Sequence, residues 1–514
     1  MLLPSPRRLT SLVLAVLGGI VTDLAFPGVG WWPLAPVGIA LLLLAMGRDG
    51  AWWNALVGLV WGLAFFGPHI AWIDGAVGTV PWLALCVAES LFVAVFGAAW
   101  TWTRRGAVIA TAARWQVPAV AVLWTGLEEA RSVLPFGGFP WGRLAFSQAD
   151  SPLGRLAWLG GVPLVTAVVV ALGALLAVAF ARVRQIEIGL ASGALLAAFA
   201  LLTVGILVPL DSQAEDGRLE VGAVQGDVPD RGLASFDQAR EVLANHAQGS
   251  LALLDQVDPG ELDLVVWPEN GADFDPRTDP QTEAAVNEVT SALDAPLLLG
   301  TQEYPDTGGR YNLAMLWDPE LGPVATYAKQ HPAPFAEYIP MRSIARLFSD
   351  AVDRVNTDML PGTGVGLIPV DVPRLGRTVG IGDVICFEVA YDDIVRKAVT
   401  AGGEVLVIQT NNATFGRTDE STQQLAMSRL RAIEHGRATL QISTVGVSAV
   451  IAPNGVVTQE TDLFTAAQLV ASMPLRSTLT PASRFGDEIS WAFRALAVVV
   501  TLAGVVGAVG ARRR

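Results

Sequence analysis

Three short segments of the 514-residue chain carry side chains that could do chemistry. Leu264-Val265-Val266-Trp267-Pro268-Glu269-Asn270 ends an apolar run with a carboxylate. Pro268 has no N–H with which to continue a strand ladder, so Glu269 is expected at a strand exit, where α/β proteins place reactive groups. Tyr327-Ala328-Lys329-Gln330-His331 holds one of only two lysines; the other is Lys397, and 32 of the 34 basic residues are arginine. In so arginine-biased a chain, a lysine is either chance or a position where arginine would not serve. Val384-Ile385-Cys386-Phe387-Glu388 puts a thiol after a strand-like run and before a helix expected from about Ala390. A thiol at a helix N-terminus gains thiolate stability from the dipole; the plainer alternative is a buried structural cysteine. Together the three form a chemical set. The thiol is a nucleophile, the glutamate a base that takes its proton, and the ammonium a stabiliser of thiolate and oxyanion.

These segments need a scaffold. From Arg218 onward, short β-branched runs alternate with amphipathic stretches. Leu219–Val224, Leu262–Trp267, Pro296–Gly300, Tyr311–Trp317, Thr378–Ile385 and Glu404–Thr410 read as strands. Phe236–Val257, Pro280–Leu293, Tyr391–Ala401 and Ser421–Gly436 read as helices. The alternation predicts an α/β domain over residues 211–490. From Asp211 to Ser490 there are 40 acidic and 19 basic residues, a balance of −21; the remainder holds 8 and 15, a balance of +7. So acidic a block lacks the basic footprint of nucleic-acid binding. There is no P-loop, GxSxG or HExxH motif, and His69, His246, His331 and His435 have no metal-ligand spacing, so no metal or organic cofactor is expected. Cys86 lies in an apolar run and Cys386 in the acidic block, which argues against a disulfide.

The remainder reads as membrane. Of the whole chain 52% is hydrophobic and only 16% charged, well short of the roughly 25% charged in soluble domains. Seven apolar stretches precede the acidic block, near Thr10–Ala25, Pro33–Met46, Trp53–Ile73, Pro81–Thr103, Ala107–Gly126, Gly161–Ala181 and Ile188–Pro209; an eighth, Trp491–Ala511, follows it. Each approaches the roughly 20 residues a crossing needs, the second being short. The first reads as an uncleaved anchor. The expected layout is a membrane domain over 1–210, the α/β domain over 211–490, and a last span with a basic tail over 491–514. With the N-terminus inside, Arg7, Arg8, Arg48, Arg104, Arg105, Arg182, Arg184, Arg512, Arg513 and Arg514 fall on the cytoplasmic side, against Arg131, Arg143 and Arg155 opposite, ten to three. That bias places the acidic block outside the cytoplasm and both termini within it. Asp23, Asp74, Glu89, Glu128 and Glu129, in or near spans, are costly enough to suggest function. The loop Leu134–Trp141 reads either as a lid or lipid-facing cleft, or as a structured interfacial loop.

The strand-Trp-Pro-Glu, Tyr-x-Lys and strand-Cys-x-Glu segments resemble the nitrilase superfamily, and the spans around them resemble the apolipoprotein N-acyltransferases within it. That resemblance implies a multi-span helical membrane domain plus an αββα sandwich with a Glu269-Lys329-Cys386 triad. It also implies transfer of a fatty acyl chain from a membrane phospholipid to the N-terminal amine of a diacylglyceryl-cysteine lipoprotein, through a Cys thioester, in a bacterial cell membrane. Pro334-Phe335-Ala336-Glu337-Tyr338-Ile339-Pro340 resembles the family's PFGEYVP, which gives Glu337 a supporting role and Phe335 and Tyr338 substrate contacts. Cys386-Phe387-Glu388 matches Cys-aromatic-Glu, so Phe387 and Glu388 inherit supporting roles. Val224-Gln225-Gly226 resembles VQGN, and Gly138-Phe139-Pro140-Trp141 resembles GFPW. Asn412-Ala413-Thr414-Phe415-Gly416 stands where many members have DAWFG, and the segment after Val228 lacks a tryptophan often found there. The expected partners are phospholipid and lipoprotein, with the chain a monomer. A membrane-tethered amidase acting on a soluble substrate is the alternative; a transporter with an inert ectodomain is a third reading, disfavoured by the intact triad and the lack of paired broken helices.

Overall fold

The computed structural model of the chain describes residues 6–106, 108–111, 113–228, 239–347, 352–353 and 355–512. Two compact units emerge: Met1–Asp74, Thr79–Pro209 and Phe485–Arg514 form one, and Gly75–Gly78 with Leu210–Arg484 form the other.

The helices up to Pro209 are α1 (Arg8–Asp23), α2 (Leu34–Ala45), α3 (Ala51–His69), α4 (Trp72–Val77), α5 (Thr79–Thr103), α6 (Ala113–Arg131), α7 (Ala157–Arg184) and α8 (Ile188–Val204), all in the first unit except the last three residues of α4. Small residues let them approach closely, as apolar helices without a hydrophobic drive between them require. A Cβ on Gly58 of α3 would lie 2.2 Å from Val93 O of α5, and one on Gly97 of α5 would lie 2.1 Å from Asn54 O of α3. All eight apolar stretches of the sequence fall on helices, the last on a helix over Pro481–Arg512. Among the described residues, five segments are long and apolar enough to cross a membrane: Ala51–His69, Thr79–Thr103, Pro152–Arg184, Ile188–Leu207 and Pro481–Gly507. The first two stretches give shorter helices, of 16 and 12 residues. The fifth differs from expectation. Its helix starts at Ala113, with Ala107 outside the described residues, and runs past Gly126 to Arg131. The polar end continues as helix because its charges are partnered. Arg131 Nη1 donates to Glu89 Oε2 at 2.7 Å, and Glu128 Oε2 accepts from Thr166 Oγ1 at 2.7 Å. The same arginine donates to Phe139 O and Trp141 O at 2.8 and 2.9 Å, and Trp141 is buried, so Leu134–Trp141 leads into a packed loop.

Among the described residues the second unit contains twelve strands: β1 (Arg218–Gln225), β2 (Leu264–Val266), β3 (Leu297–Glu303), β4 (Tyr311–Asp318), β5 (Gly322–Ala328), β6 (Leu367–Val372), β7 (Arg377–Ile385), β8 (Val405–Thr410), β9 (Thr439–Ser443), β10 (Ala449–Ile451), β11 (Val457–Glu460) and β12 (Ala467–Pro474). They form two six-stranded sheets, ordered β12-β1-β2-β3-β4-β5 and β11-β10-β9-β8-β7-β6. In each, three central strands run parallel (β1-β2-β3 and β7-β8-β9) and the flanking strands antiparallel. Leu219, Val221, Leu264, Val266 and Leu298 of one sheet join Val370, Ile381, Val405, Val407 and Leu440 of the other in one buried core. Alternate residues Val265, Leu297 and Leu299 face outward and pack with Val286, Val289 and Leu293 of α10 (Pro280–Leu293), which follows α9 (Ala239–Leu251). After a short α11 (Arg342–Ala345), α12 (Asp392–Thr400) and α13 (Glu420–His435) pack on the second sheet. The result is the expected αββα sandwich. Helix α10 shows why local sequence suffices there: Asp279 caps it by accepting from Thr282 N at 2.9 Å, Pro280 opens it, and Asp294 closes it in a left-handed conformation. Residues 236–238, expected to open α9, and most of the segment after Val228 lie outside the described residues.

Candidate active site

Glu269 leaves the end of β2. Trp267 fixes that exit, its indole Nε1 donating to Ser250 Oγ at 2.7 Å and its N–H to Leu298 O at 2.9 Å. Gly300 on the neighbouring strand is required here: a Cβ would lie 2.4 Å from Pro268 O and 2.7 Å from Glu269 Cα. Glu269 Oε1 accepts from Lys329 Nζ at 3.0 Å and Asn312 Nδ2 at 2.6 Å, and Oε2 from Asn411 N at 3.0 Å. Lys329 follows β5. Its N–H donates to Asn312 O at 2.9 Å, and Gly362 N donates to its carbonyl at 2.7 Å. The ammonium also donates to Glu337 Oε1 at 2.7 Å. Burial alone would lower the Lys329 pKa, but Glu269 and Glu337 outweigh it and hold it well above the ordinary value. It is a fixed cation.

Cys386 follows β7 with φ +54°, a left-handed conformation rare for a side chain of this kind. The sequence expectation of a helix dipole beneath it is corrected. Cys386–Ala390 form a 3₁₀ turn, and α12 starts only at Asp392, so the thiol does not sit at an α-helix N-terminus. Burial pushes the thiol up, Glu269 adds to this, and Lys329 opposes it; the resting group is a neutral thiol. A base is therefore needed.

Glu388 and Glu337 position this set. Glu388 Oε1 accepts from Gln330 N and His331 N at 2.6 and 3.1 Å, and Oε2 from Ile385 N and Tyr327 Oη at 3.0 and 2.9 Å. One carboxyl thus ties the Cys386 turn to the Lys329 segment across the two sheets. Burial raises its pKa, and the Ile385 N–H, Lys329 and the remaining backbone donors oppose that. Glu337 Oε2 accepts from Ala333 N at 2.6 Å. Phe387 is buried edge-on to Tyr391 at 5.6 Å. Phe335 and Tyr338 lie on the tight turn that presents Glu337, joined by a 2.8 Å bond from Phe335 N to Tyr338 O. Among the described residues neither hydrogen-bonds to Glu269, Lys329 or Cys386.

Residues 18–175 match the family model for the apolipoprotein N-acyltransferase N-terminal domain, and residues 222–479 that for carbon-nitrogen hydrolases. An apolipoprotein N-acyltransferase of Mycolicibacterium smegmatis is 36% identical, over 97% of this chain and 84% of that protein. This chain belongs to the apolipoprotein N-acyltransferase family. A second relative of that name, from Geobacter metallireducens, is 28% identical over 96% of this chain and 95% of its own length. Among solved structures, an amidase from Nesterenkonia sp. is 17% identical, covering 52% of this chain and 95% of that one with a TM-score of 0.37. The chain is an acyltransferase with a nitrilase-type domain and membrane helices.

Sequence reasoning missed Asn312, Thr410, Asn411 and Gln424, which complete the surroundings of Glu269 and Cys386. Asn412, which opens the segment that stands in place of DAWFG, is buried in a polar network with Glu420, Gln424 and Ser443. Arg431, buried on α13, was also missed. It donates to Val389 O, Ala390 O and Asp392 Oδ1 at 2.8, 2.9 and 2.7 Å and pins the far end of the Cys386 turn.

Proposed function

We propose that this chain moves a fatty acyl group from a membrane phospholipid to the α-amine of a diacylglyceryl-cysteine lipoprotein, in two steps through a thioester on Cys386. The observation that carries the reading is that Glu269 and Lys329, paired at 3.0 Å, are buried together with Cys386 and that both of their charges act on its thiol. Glu269 Oε1 already accepts two bonds and Oε2 only one, so Oε2 keeps a lone pair for a proton. As the thiol attacks the ester carbonyl, its proton passes to Oε2 and the Sγ–C bond forms. Lys329 stabilises the oxyanion. The tetrahedral carbon expels the lysophospholipid alkoxide, which takes the proton from Glu269. The neutral amine of the lipoprotein then attacks the thioester, Glu269 receives its proton, and the thiolate leaves to be reprotonated.

The arginine asymmetry supports a catalytic unit outside the cytoplasm, with both termini inside. The test of function is intact-protein mass after purification from membrane. A fatty-acyl increment on Cys386, lost in Cys386→Ala and kept in Cys86→Ala, is expected. An adduct that survives Cys386→Ala would overturn the assignment.

A further inference from the structure

Besides Glu269, Lys329 and Glu420, whose charges act on it, the Cys386 sulfur meets two neutral groups. Thr410 Oγ1 lies 3.3 Å from Sγ and Gln424 Nε2 lies 3.8 Å from it, and both residues are fully buried. Neither is used in the steps above. Their orientation is enforced from behind. Gln424 Oε1 accepts from Thr410 Oγ1 at 2.8 Å and from Asn412 Nδ2 at 2.9 Å. Asn412 is itself locked: Nδ2 donates to Glu420 Oε2 at 2.7 Å, and Oδ1 accepts from Ser443 Oγ at 2.6 Å. Turning the Gln424 amide over would set its NH₂ against the NH₂ of Asn412, so its N–H face is left for the sulfur.

The hydroxyl of Thr410 has one proton and three acceptors in reach, Gln424 Oε1 at 2.8 Å, Cys386 Sγ at 3.3 Å and, longest, Asn412 Oδ1 at 3.5 Å. Against a neutral thiol, a poor acceptor, the amide oxygen at 2.8 Å holds it. Against a sulfur anion the charged acceptor wins. We propose that Thr410 and Gln424 form a two-donor cradle for the Cys386 thiolate, engaged as the anion forms and released once the sulfur is acylated. No covalent bond of Thr410 changes: the S–H proton goes to Glu269, the hydroxyl turns from Gln424 Oε1 to Sγ, and it turns back when the Sγ–C bond removes the charge. Glu420, pushed up to about 8 by burial despite its bond from Asn412, adds little competing negative charge near neutrality. Its Oε2 accepts in either protonation state.

The inference rests on Cys386 being the nucleophile, but its test needs neither phospholipid nor lipoprotein. Full-length protein in detergent, in a Cys86→Ala background, is treated with iodoacetamide across pH 6–10, and alkylation of Cys386 is followed by peptide mass. A lost donor to a thiolate raises the thiol pKa by ~1 unit; the smaller thiolate fraction, partly offset by the greater nucleophilicity of the more basic thiolate, slows the reaction ~3-fold at fixed pH below it. Thr410→Val and Gln424→Met are each expected to slow alkylation by about that factor, while Thr410→Ser, which keeps the hydroxyl, stays near the parent rate. Unfolding would expose the thiol and speed the reaction, so misfolding does not imitate the expected slowing. Alkylation of Thr410→Val within about twofold of the parent at every pH, or of Thr410→Ser as slow as Thr410→Val, would overturn the cradle. A persistent acyl adduct in Cys386→Ala would instead overturn the proposed function and leave this result standing.

Discussion

Replacing Glu388 by glutamine tests whether one carboxyl holds the thiol turn against the lysine segment. The change keeps size and shape and converts one oxygen into a donor. On the Oε1 side the new NH₂ would face two backbone donors, Gln330 N and His331 N. On the Oε2 side it would face Ile385 N and the Tyr327 hydroxyl, and the hydroxyl can turn to accept. The second orientation wins and leaves the buried Ile385 N–H without an acceptor, at ~1–3 kcal/mol. Weaker bonds to a neutral carbonyl add ~1 kcal/mol. The sum, ~2–4 kcal/mol, lowers the melting temperature by roughly 5–15 °C at ~2–4 °C per kcal/mol. Because the orphaned N–H immediately precedes Cys386, the thiol should also shift against Lys329, and displacements near 1 Å cost ~10²-fold in rate. The assays are melting of the detergent-solubilised chain and single-turnover acyl-enzyme formation. Tyr327→Phe, which removes one donor, should cost less than half as much. A Glu388→Gln protein that melts within about 2 °C of the parent and acylates within threefold would refute the linchpin role.

Lys329→Arg should lose ~10²–10³-fold in acyl transfer, within tenfold of Lys329→Ala, because a planar fork does not fit the buried gap in which a single Nζ bridges Glu269 and Glu337; retention of a tenth of the parent rate would show that charge alone suffices. Lys397→Arg, on an exposed lysine paired with Asp393, should be neutral in the same assay. His246 is locked neutral, its Nδ1–H on Val242 O and its Nε2 accepting from Gly226 N, and burial lowers it to about 4. The unfolded histidine binds its proton near 6.5 and the folded one does not, so its contribution is present above pH 6.5 and is lost as pH falls to 4. That is about 2.5 units, or ~3 kcal/mol. The stability gap between parent and His246→Gln should shrink by that amount over this window, and a constant gap would count against it. For topology, a cysteine placed near Asp216 in a Cys86→Ala, Cys386→Ala background should react with an impermeant maleimide in intact cells, and one near Gly47 should not; the reverse pattern would invert the orientation.

What could be read from sequence followed physical signal strength. Strand β2 is a continuous apolar run, β8 opens with one and β7 alternates Val and Ile with smaller residues, and Pro268 and Cys386 mark where β2 and β7 stop. β9, Thr439–Ser443, escaped notice because Thr, Gln and Ser occupy fully buried positions. They are tolerated there through bonds invisible in one dimension, such as Ser428 Oγ to Gln441 Oε1 at 2.6 Å. β5 opens Gly322-Pro323 and looks like a turn. In the site, Glu269, Lys329 and Cys386 announce themselves by type and setting. Thr410 and Gln424 do not, since a threonine at a strand end and a glutamine on a helix are ordinary until folding brings both to one sulfur. The expected helix dipole failed for a related reason: the residues after Cys386 suit a tight turn as well as a helix, and the Glu388 side chain bonding back to Ile385 N decides for the turn.

Glu269 and Lys329 leave strands of the first sheet, and Cys386 and Thr410 leave strands of the second. Gln409 at the end of β8 donates to Trp267 O at the end of β2 at 2.6 Å, a rivet between the two ladders close to the site. The first sheet gains its sixth strand only with β12, which returns to pair with β1 along its whole length. Translation must therefore approach Pro474 before both halves of the reactive centre have their full support. A ribosome-bound chain that ends before β7 carries Glu269 and Lys329 without Cys386. One that ends just after β7 carries the thiol without β8, the strand that supplies Thr410. The layout sets an order of assembly: until β8 has followed β7, the Cys386 sulfur lacks the threonine that lies 3.3 Å from it in the finished fold.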